Sequence, residues 1–331
     1  MRALSIAAIG LLLAMASSAA AAGFQSVTVP DADDKPLNVG VWYPTNSPLA
    51  KKVSNVAGQF LAVDGAVKGD HLSLVVISHG NGGGILAHAD TAEVLADSGF
   101  VVAAVVHTGD NGDDKSYPAS RWSVDRPRHI SRVIDFMLYQ WGGRSRIDAE
   151  RIGVFGFSAG GFAALVAAGG IPNPALAASH CRELPGEVAC QLGMVRDFGK
   201  PSGGKRDPSI WRHDPRIKAA VIASPGFGFA FDDTGLANVK VPIQLWAASD
   251  DDNVPYASNA GIVRQNLPTE PDFHMVEGVG HFAFARPCNR KLEPHRKRSC
   301  VDSPSFNQTA FHAQFNEGIR AFFENALSPH H

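Results

Sequence analysis

The sequence predicts an α/β fold with a mostly parallel central sheet and helices on both of its faces. The first observation is a series of short, continuous apolar runs at residues 72–78, 100–106, 217–223 and 241–247, which are typical of parallel strands buried on both sides. The second is that segments with helical character separate these runs. The third is that several runs end in turns rich in Gly, Asp, Ser or His, the kind of sheet edge where ligands bind in α/β proteins.

Length, composition and charge favour one globular domain. The chain has 331 residues, of which 45% are hydrophobic, and a formal net charge of −2. We expect one domain over residues 23–331, because this amount of apolar sequence can fill a sizeable core. The mildly acidic balance contains nothing that indicates nucleic-acid binding.

The first 22 residues have the features of a secretory signal peptide. Arg2 supplies a positive charge, residues 6–15 form an apolar run, and small residues at 20–22 precede Gly23. The apolar run is too short to span a bilayer comfortably. We therefore expect a secreted or periplasmic protein with no integral membrane segment after cleavage. An uncleaved anchor helix is the alternative.

Four cysteines fall into two local pairs. An even number in an exported chain favours two disulfides, Cys181–Cys190 and Cys288–Cys300, although sequence leaves the two other connectivities open. Neither pair has the close spacing of a zinc site. We expect no metal and no cofactor.

The N-terminal half begins with two alternating segments, residues 24–30 and 37–43, which predict edge strands joined by a turn. Residues 44–70 are polar and predict a surface loop. Helix signals follow at 85–98, and after a further loop at 130–138, where apolar residues recur on one helix face.

The sequence Gly156-Phe157-Ser158-Ala159-Gly160 lies between an apolar strand and a helix of small residues. A serine that projects from a tight strand-to-helix turn needs small neighbours two residues away, and Gly156 and Gly160 provide them. This context predicts a nucleophile elbow, in which Ser158 is the nucleophile and the Ala159 N–H faces a developing oxyanion. An ordinary Gly-rich turn is the alternative.

A second glycine-rich loop, residues 79–84, follows the strand at 72–78. It lacks the Gly-Lys-Ser/Thr of a phosphate-binding loop. We expect the N–H of Asn81 to be the second oxyanion donor. His79 lies in the turn itself, so we expect it to orient the loop rather than to act as a base.

The remaining candidate residues follow in the order serine, acid, histidine. Three aspartates, Asp250, Asp251 and Asp252, come after a late strand. Asp251 is favoured because it lies four residues before Pro255, and the acid commonly has this spacing from the proline of a Val-Pro step. His281 lies on a loop flanked by glycine after the last strand, which predicts a general base. Asp250 and Asp252 remain alternatives for the acid.

Residues 171–214 interrupt the strand–helix alternation and predict a lid over the site, with a plain surface loop as the alternative. Phe227, Phe229 and Phe282 are candidate pocket residues, and filling of the core is the competing interpretation. His107 ends a strand at the same predicted edge, so it is a further pocket candidate, with a structural polar turn as the competing interpretation.

The C-terminal part contains a basic segment, residues 286–298, followed by an amphipathic helix over about 306–327 that faces the sheet. We expect the basic segment to be a solvated face. Attraction of anionic lipid headgroups or acidic polymers is the alternative.

These motifs resemble those of the α/β-hydrolase superfamily, in which the three candidate residues occur in the same order. Residues 74–80, 99–107, 156–161 and 214–219 further resemble dienelactone-hydrolase-like proteins related to the platelet-activating-factor acetylhydrolases. The resemblance covers most of residues 37–285. The sequence differs from true dienelactone hydrolases, which use a cysteine nucleophile. It differs from the acetylhydrolases in the lid segment, so their lipid specificity cannot be assigned to this protein.

The resemblance implies a secreted serine hydrolase with Ser158 as nucleophile, His281 as base, Asp251 as acid and an oxyanion hole made by the N–H groups of Asn81 and Ala159. It implies cleavage of carboxylic esters through an acyl-serine. We expect esters with short acyl chains, and a small-molecule or lipid ester as the partner. The alternatives are a lipid-directed phospholipase A2 or acetylhydrolase, a polyester hydrolase, an amidase or peptidase, and a non-catalytic binding protein on a hydrolase scaffold.

Overall fold

The computed structural model describes residues 21–196, 198, 208–293, 300–301 and 305–328. Most of the expected signal peptide, residues 1–20, lies outside the described residues, and Ala21 and Ala22 begin the first strand. Within the described ranges, no helix has the length and apolar character needed to cross a membrane.

The described residues form one nine-stranded sheet with the strand order β3-β1-β2-β5-β4-β6-β7-β8-β9. Its strands are β1 (Ala21–Val29), β2 (Leu37–Thr45), β3 (Ala62–Val63), β4 (Leu72–Ser78), β5 (Val101–Val105), β6 (Ile147–Phe157), β7 (Ile217–Ala223), β8 (Ile243–Ala248) and β9 (Asp272–Val276). The strands from β5 across to β9 run parallel, whereas β2 pairs antiparallel with both β1 and β5. The predicted α/β fold with a mostly parallel sheet is confirmed.

The N-terminal strands differ from the prediction in their position. Neither β1 nor β2 is an edge strand, because each has a partner on both sides. The edge is occupied instead by β3, which lies within the segment predicted as a loop and pairs in parallel with β1. Two residues are too few to produce a readable strand pattern in the sequence.

Eight α-helices in the described residues cover the sheet. They are α1 (Ala89–Asp97), α2 (Ala119–Tyr139), α3 (Ala159–Ala167), α4 (Pro174–Glu183), α5 (Val188–Gln191), α6 (Asp233–Leu236), α7 (Ala260–Asn266) and α8 (Gln308–Ala326). Helix α2 begins well before residue 130, so Trp122 lies in a helix and not in the predicted loop. The charged Arg126 and the internal Pro127 interrupt the apolar stripe, which hid the first half of this helix.

The sheet has a hydrophobic core on each face. Leu74 and Val76 of β4 join the core under α2, α3 and α7, whereas Val75 and Ile77 join the core under α1 and α8. This alternation is the expected consequence of successive side chains pointing to opposite faces of a strand. Because both faces are buried, the strand is apolar at nearly every position.

Since parallel strands end at the same edge of a sheet, the turns after β4, β6, β8 and β9 meet there. This edge carries the Gly-rich loop, Ser158, Asp251 and His281. The topology therefore assembles the candidate residues from four separate parts of the chain.

Candidate active site

Ser158 occupies a sharp turn between β6 and α3. Its backbone has φ 56° and ψ −120°, a left-handed region that side chains rarely adopt. A Cβ on Gly156 would lie 2.2 Å from the Gly160 carbonyl oxygen, and a Cβ on Gly160 would lie 1.9 Å from the carbonyl oxygen of Ser78. Both positions therefore require glycine, because any side chain there would overlap the backbone.

The turn is held by backbone hydrogen bonds. The Ser158 N–H donates to the Ala223 carbonyl at 3.0 Å, and the Ser158 carbonyl accepts from the N–H groups of Phe162 at 3.1 Å and Gly226 at 3.0 Å. The strained residue is thus fixed from the next strand and from its own helix, which leaves the hydroxyl as its free functional group.

His281 links Ser158 to Asp251. Its Nε2 lies 3.0 Å from Ser158 Oγ, and its Nδ1 lies 2.7 Å from Asp251 Oδ2. A carboxylate only accepts hydrogen bonds, so Nδ1 carries the proton and the Nε2 lone pair faces the serine hydroxyl. The geometry therefore suits transfer of the hydroxyl proton to His281.

Asp251 is held by its own turn. Its Oδ1 accepts from the N–H groups of Asn253 at 3.0 Å and Val254 at 2.9 Å, and the residue is buried. The two alternative acids are exposed, and Asp250 Oδ1 accepts instead from Ser249 Oγ at 2.8 Å. Of the three aspartates, the structure brings Asp251 to the histidine.

The two candidate oxyanion donors lie beside Ser158. Ala159 is the first residue of α3, so its N–H has no acceptor within the helix. The backbone at Gly80 passes so close that a Cβ there would lie 3.4 Å from Ser158 Cβ, and Asn81 follows directly. Both Asn81 and Ala159 line the same cavity as Ser158.

This cavity has a volume of about 290 Å³. Three predicted pocket residues, Phe227, Phe229 and Phe282, are on its wall, together with Trp122 and Phe157. Apolar walls around a few polar groups are typical of small-molecule sites.

His107 does not reach the cavity, which corrects its prediction as a pocket residue. It is fully buried beneath the site, where its Nε2 lies 2.8 Å from Ser78 Oγ and its Nδ1 lies 3.2 Å from His129 Nδ1. Burial lowers its pKa well below the ordinary value, so the ring is neutral. The sequence placed His107 at the correct edge of the sheet, but the side chain points into the helical layer.

His79 is likewise buried and is tied to its own loop. Its Nε2 accepts from the His107 N–H at 3.3 Å, so its Nδ1 donates to the Gly80 carbonyl at 2.7 Å. Burial, with Arg126 nearby, lowers its pKa well below the ordinary value. These contacts agree with the prediction that His79 orients the loop.

The segment over residues 171–214 contains α4 and α5, which the Cys181–Cys190 disulfide joins. Residues 197 and 199–207 lie outside the described residues. Glu187 anchors the segment, because its carboxylate accepts from Ser258 Oγ at 2.6 Å. The following residues form one wall of the cavity: Val188, Ala189, Leu192 and Met194. The sequence predicted a lid here but not which of its residues line the site.

The basic segment, residues 286–298, was predicted to be exposed to solvent, but its first residue is not. Arg286 is buried, pairs with Glu293 through two contacts of 2.7 and 2.6 Å, and donates to the Leu86 carbonyl. The Cys288–Cys300 disulfide is also present. Residues 294–299 lie outside the described residues.

A scan against protein-family models found no match, and neither did a search of the curated proteins. Among solved structures, a ferulic acid esterase from Streptomyces cinnamoneus matches with a TM-score of 0.63 and 20% sequence identity, over 94% of this chain and 91% of that chain. At this identity the likeness concerns the fold alone. The fold is that of the α/β-hydrolases.

In this α/β-hydrolase fold, sequence analysis missed one buried residue below the site. Arg126 of α2 is fully buried and forms an ion pair with Asp110, with a contact of 2.6 Å. No local sequence pattern identifies such an arginine, because its hydrogen-bond partners are in turns that follow distant strands.

Within the described ranges, no group of three or more His, Cys, Asp or Glu side chains is placed to hold a metal ion.

Proposed function

We propose that this protein is a carboxylic ester hydrolase that works through an acyl-serine on Ser158. The observation that carries the proposal is the chain of contacts from Ser158 through His281 to Asp251, with distances of 3.0 and 2.7 Å. A nucleophile in contact with a base, which is itself oriented by a third group, is the arrangement that activates a serine hydroxyl.

In the first half of the reaction, Ser158 Oγ attacks the ester carbonyl while His281 Nε2 accepts its proton. Asp251 holds the ring and stabilises the imidazolium. The bond from the carbonyl carbon to the alcohol oxygen then breaks, and His281 returns the proton to the leaving alcohol. In the second half, water gives a proton to His281 and attacks the carbonyl carbon of the acyl-enzyme. The bond from that carbon to Ser158 Oγ then breaks, His281 returns the proton to Oγ, and the acid is released.

The tetrahedral intermediates carry a negative charge on the former carbonyl oxygen. In this proposal the N–H groups of Asn81 and Ala159 stabilise it. Each donor contributes roughly 10²–10³ in rate, judging by donors removed from other serine hydrolases.

The cavity walls favour an apolar acyl group. Phe227, Phe229 and Phe282 surround a space of about 290 Å³, which suits a short acyl chain better than a long one. A fold shared with a protein named as a ferulic acid esterase supports an ester as the substrate. A relationship to the dienelactone-hydrolase-like proteins is part of the proposal, and it is based on the sequence motifs.

Export is also part of the proposal. The two disulfides are consistent with an oxidising compartment, and residues 1–22 have the pattern of a signal peptide. The mature chain would then begin at residue 23, and residues 23–331 would form a single domain.

Hydrolysis of p-nitrophenyl esters from acetate to palmitate tests the proposal. We expect the highest kcat/KM with short chains and a loss of about 10⁴-fold or more in Ser158→Ala. The control is Ser98→Ala, which alters a serine at the end of α1 at the opposite edge of the sheet and should keep the wild-type rate. Equal rates for wild type and Ser158→Ala would refute the nucleophile, and a long-chain optimum would refute the short-chain assignment.

A further inference from the structure

The loop of residues 80–84, which carries one proposed oxyanion donor, is tied to the turn after β5. Asp110 in that turn accepts on Oδ1 from Asn81 Nδ2 at 2.6 Å and from the Gly82 N–H at 3.0 Å. The carboxylate thus bonds to the side chain of Asn81 and to the peptide N–H that follows Asn81. The bond to Gly82 constrains the backbone directly.

The second oxygen of Asp110 is held from below by Arg126. The guanidinium donates to Oδ2 through Nε at 2.9 Å and Nη2 at 2.6 Å. It also donates through Nη1 to the His79 carbonyl and through Nη2 to the Gly80 carbonyl at 3.2 Å. One side chain therefore joins the loop after β4 to the turn after β5.

Both members of this pair are buried, Arg126 completely and Asp110 to within 2%. A buried ion pair is weak evidence for stability, because an apolar pair of similar volume often stabilises a fold equally well. A planar guanidinium, in contrast, fixes several acceptors in one geometry. The hydrogen bonds of Arg126 go to Asp110 and to the carbonyl groups of His79 and Gly80, at the start of the oxyanion loop.

We propose that Asp110 and Arg126 are positioning residues that hold the Asn81 N–H at the oxyanion site. The inference rests on the proposed function, because it assigns a part in the ester cleavage at Ser158. Neither residue contacts the reacting atoms. Each acts on the rate through the loop, so its loss should weaken binding of the transition state and leave binding of the substrate unchanged.

Two variants test the inference. Asp110→Asn removes the charge facing Arg126, and Asn81→Ala removes the side-chain anchor at an exposed position while keeping the N–H. The matched control is Asp214→Asn, because Asp214 is a buried carboxylate that pairs with Arg216 before β7, at the opposite edge of the sheet. Active sites are counted in every variant by titration with diethyl p-nitrophenyl phosphate.

For Asp110→Asn we expect kcat per titrated site to fall about 10-fold to 10²-fold, with KM within about threefold of wild type, since a displacement of about 1 Å can cost 10²-fold. The inhibition constant of phenylboronic acid, whose tetrahedral adduct places an oxygen at the oxyanion site, should rise by the same factor. Asn81→Ala should show the same pattern, about threefold to 10-fold. Asp214→Asn should lower the unfolding midpoint but keep the wild-type kcat per site.

Wild-type kcat per titrated site in both Asp110→Asn and Asn81→Ala would overturn the inference, as would a loss confined to the number of titrated sites. If Asp110→Asn does not fold, Asn81→Ala decides by the same criteria. Failure of the inference leaves the wild-type rate and its dependence on Ser158 intact. Failure of the proposed function is distinct, because wild type and Ser158→Ala then give equal rates, and the inference falls with it.

Discussion

Two glycine-rich turns meet at the site, and they are held in different ways. In the turn of residues 156–161, the backbone itself leaves no room for side chains, as the 1.9 Å approach of a Gly160 Cβ to the Ser78 carbonyl oxygen shows. In the loop of residues 80–84, a Cβ at Gly84 would meet nothing within 4 Å. That loop is positioned instead by hydrogen bonds to Asp110 and Arg126.

The comparison separates control of a turn by close backbone packing from control by buried polar side chains. The serine turn is set by steric exclusion, both within the turn, where Gly156 faces the Gly160 carbonyl, and against the end of β4, where Gly160 faces the Ser78 carbonyl. The opposite loop depends on partners 29 and 46 residues away along the chain. Its position should therefore respond to changes in the buried groups beneath it, whereas the serine turn should respond to changes in its own glycines.

The largest effect is expected from Gly160→Ala. The new methyl group would lie 1.9 Å from the Ser78 carbonyl oxygen and 2.6 Å from its carbon, so the start of α3 must move away from β4. We expect a loss of about 3 kcal/mol or more in the free energy of unfolding and a large fall in kcat. Urea denaturation and ester hydrolysis measure the two quantities. A variant with wild-type stability and rate would show that sterics do not set the serine turn.

A smaller effect should come from the histidines beneath the oxyanion loop. His129 is buried, and its burial, with Arg128 adding to it and Asp31 opposing it, lowers the pKa to about 3. The neighbouring rings of His79 and His107 also have pKa values well below the ordinary value because they are buried. All three are therefore neutral in the folded protein at neutral pH.

The sign of the pH dependence follows from proton binding. Between pH 6.5 and about 3 the unfolded chain protonates His129 and the folded chain does not, so stability is present above pH 6.5 and is lost as the pH falls. Each such histidine costs about 2 kcal/mol between pH 7 and pH 5. We expect His129→Gln to reduce the loss between these two pH values by about that amount, as measured by urea unfolding.

The exposed His213 provides the control, since His213→Gln should leave the pH dependence as it is in wild type. If His129→Gln shows the same loss between pH 7 and pH 5 as wild type, then His129 does not stay neutral in the folded protein.

The smallest effect is expected from Gly84→Ala. Its backbone is extended, with φ −176°, and the added methyl group meets open space. We expect a change of at most about 0.5 kcal/mol in the free energy of unfolding and a kcat within about twofold of wild type. Thermal unfolding and p-nitrophenyl ester hydrolysis check this. A loss as large as that of Gly160→Ala would contradict the distinction between the two turns.

Much of the fold could be predicted from the sequence, because local rules specify it. Apolar runs predicted the parallel strands, since a strand buried on both faces needs apolar residues throughout. The Gly156–Gly160 spacing predicted the turn at Ser158 because a strained backbone excludes side chains within a few residues. The chain order predicted that Asp251 and His281 would lie at the same edge, and the structure places both in contact with one another.

Other features depend on packing between distant segments, and no local pattern encodes them. No sequence pattern predicted that Arg126 is buried. A charged residue in a helix is expected to be exposed, and its partner Asp110 is in the turn after another element of the fold. His107 was expected in the pocket because its position along the strand was known but the direction of its side chain was not. The direction of a side chain at a strand end is set by what fills the space around it, and that space is defined by tertiary contacts alone.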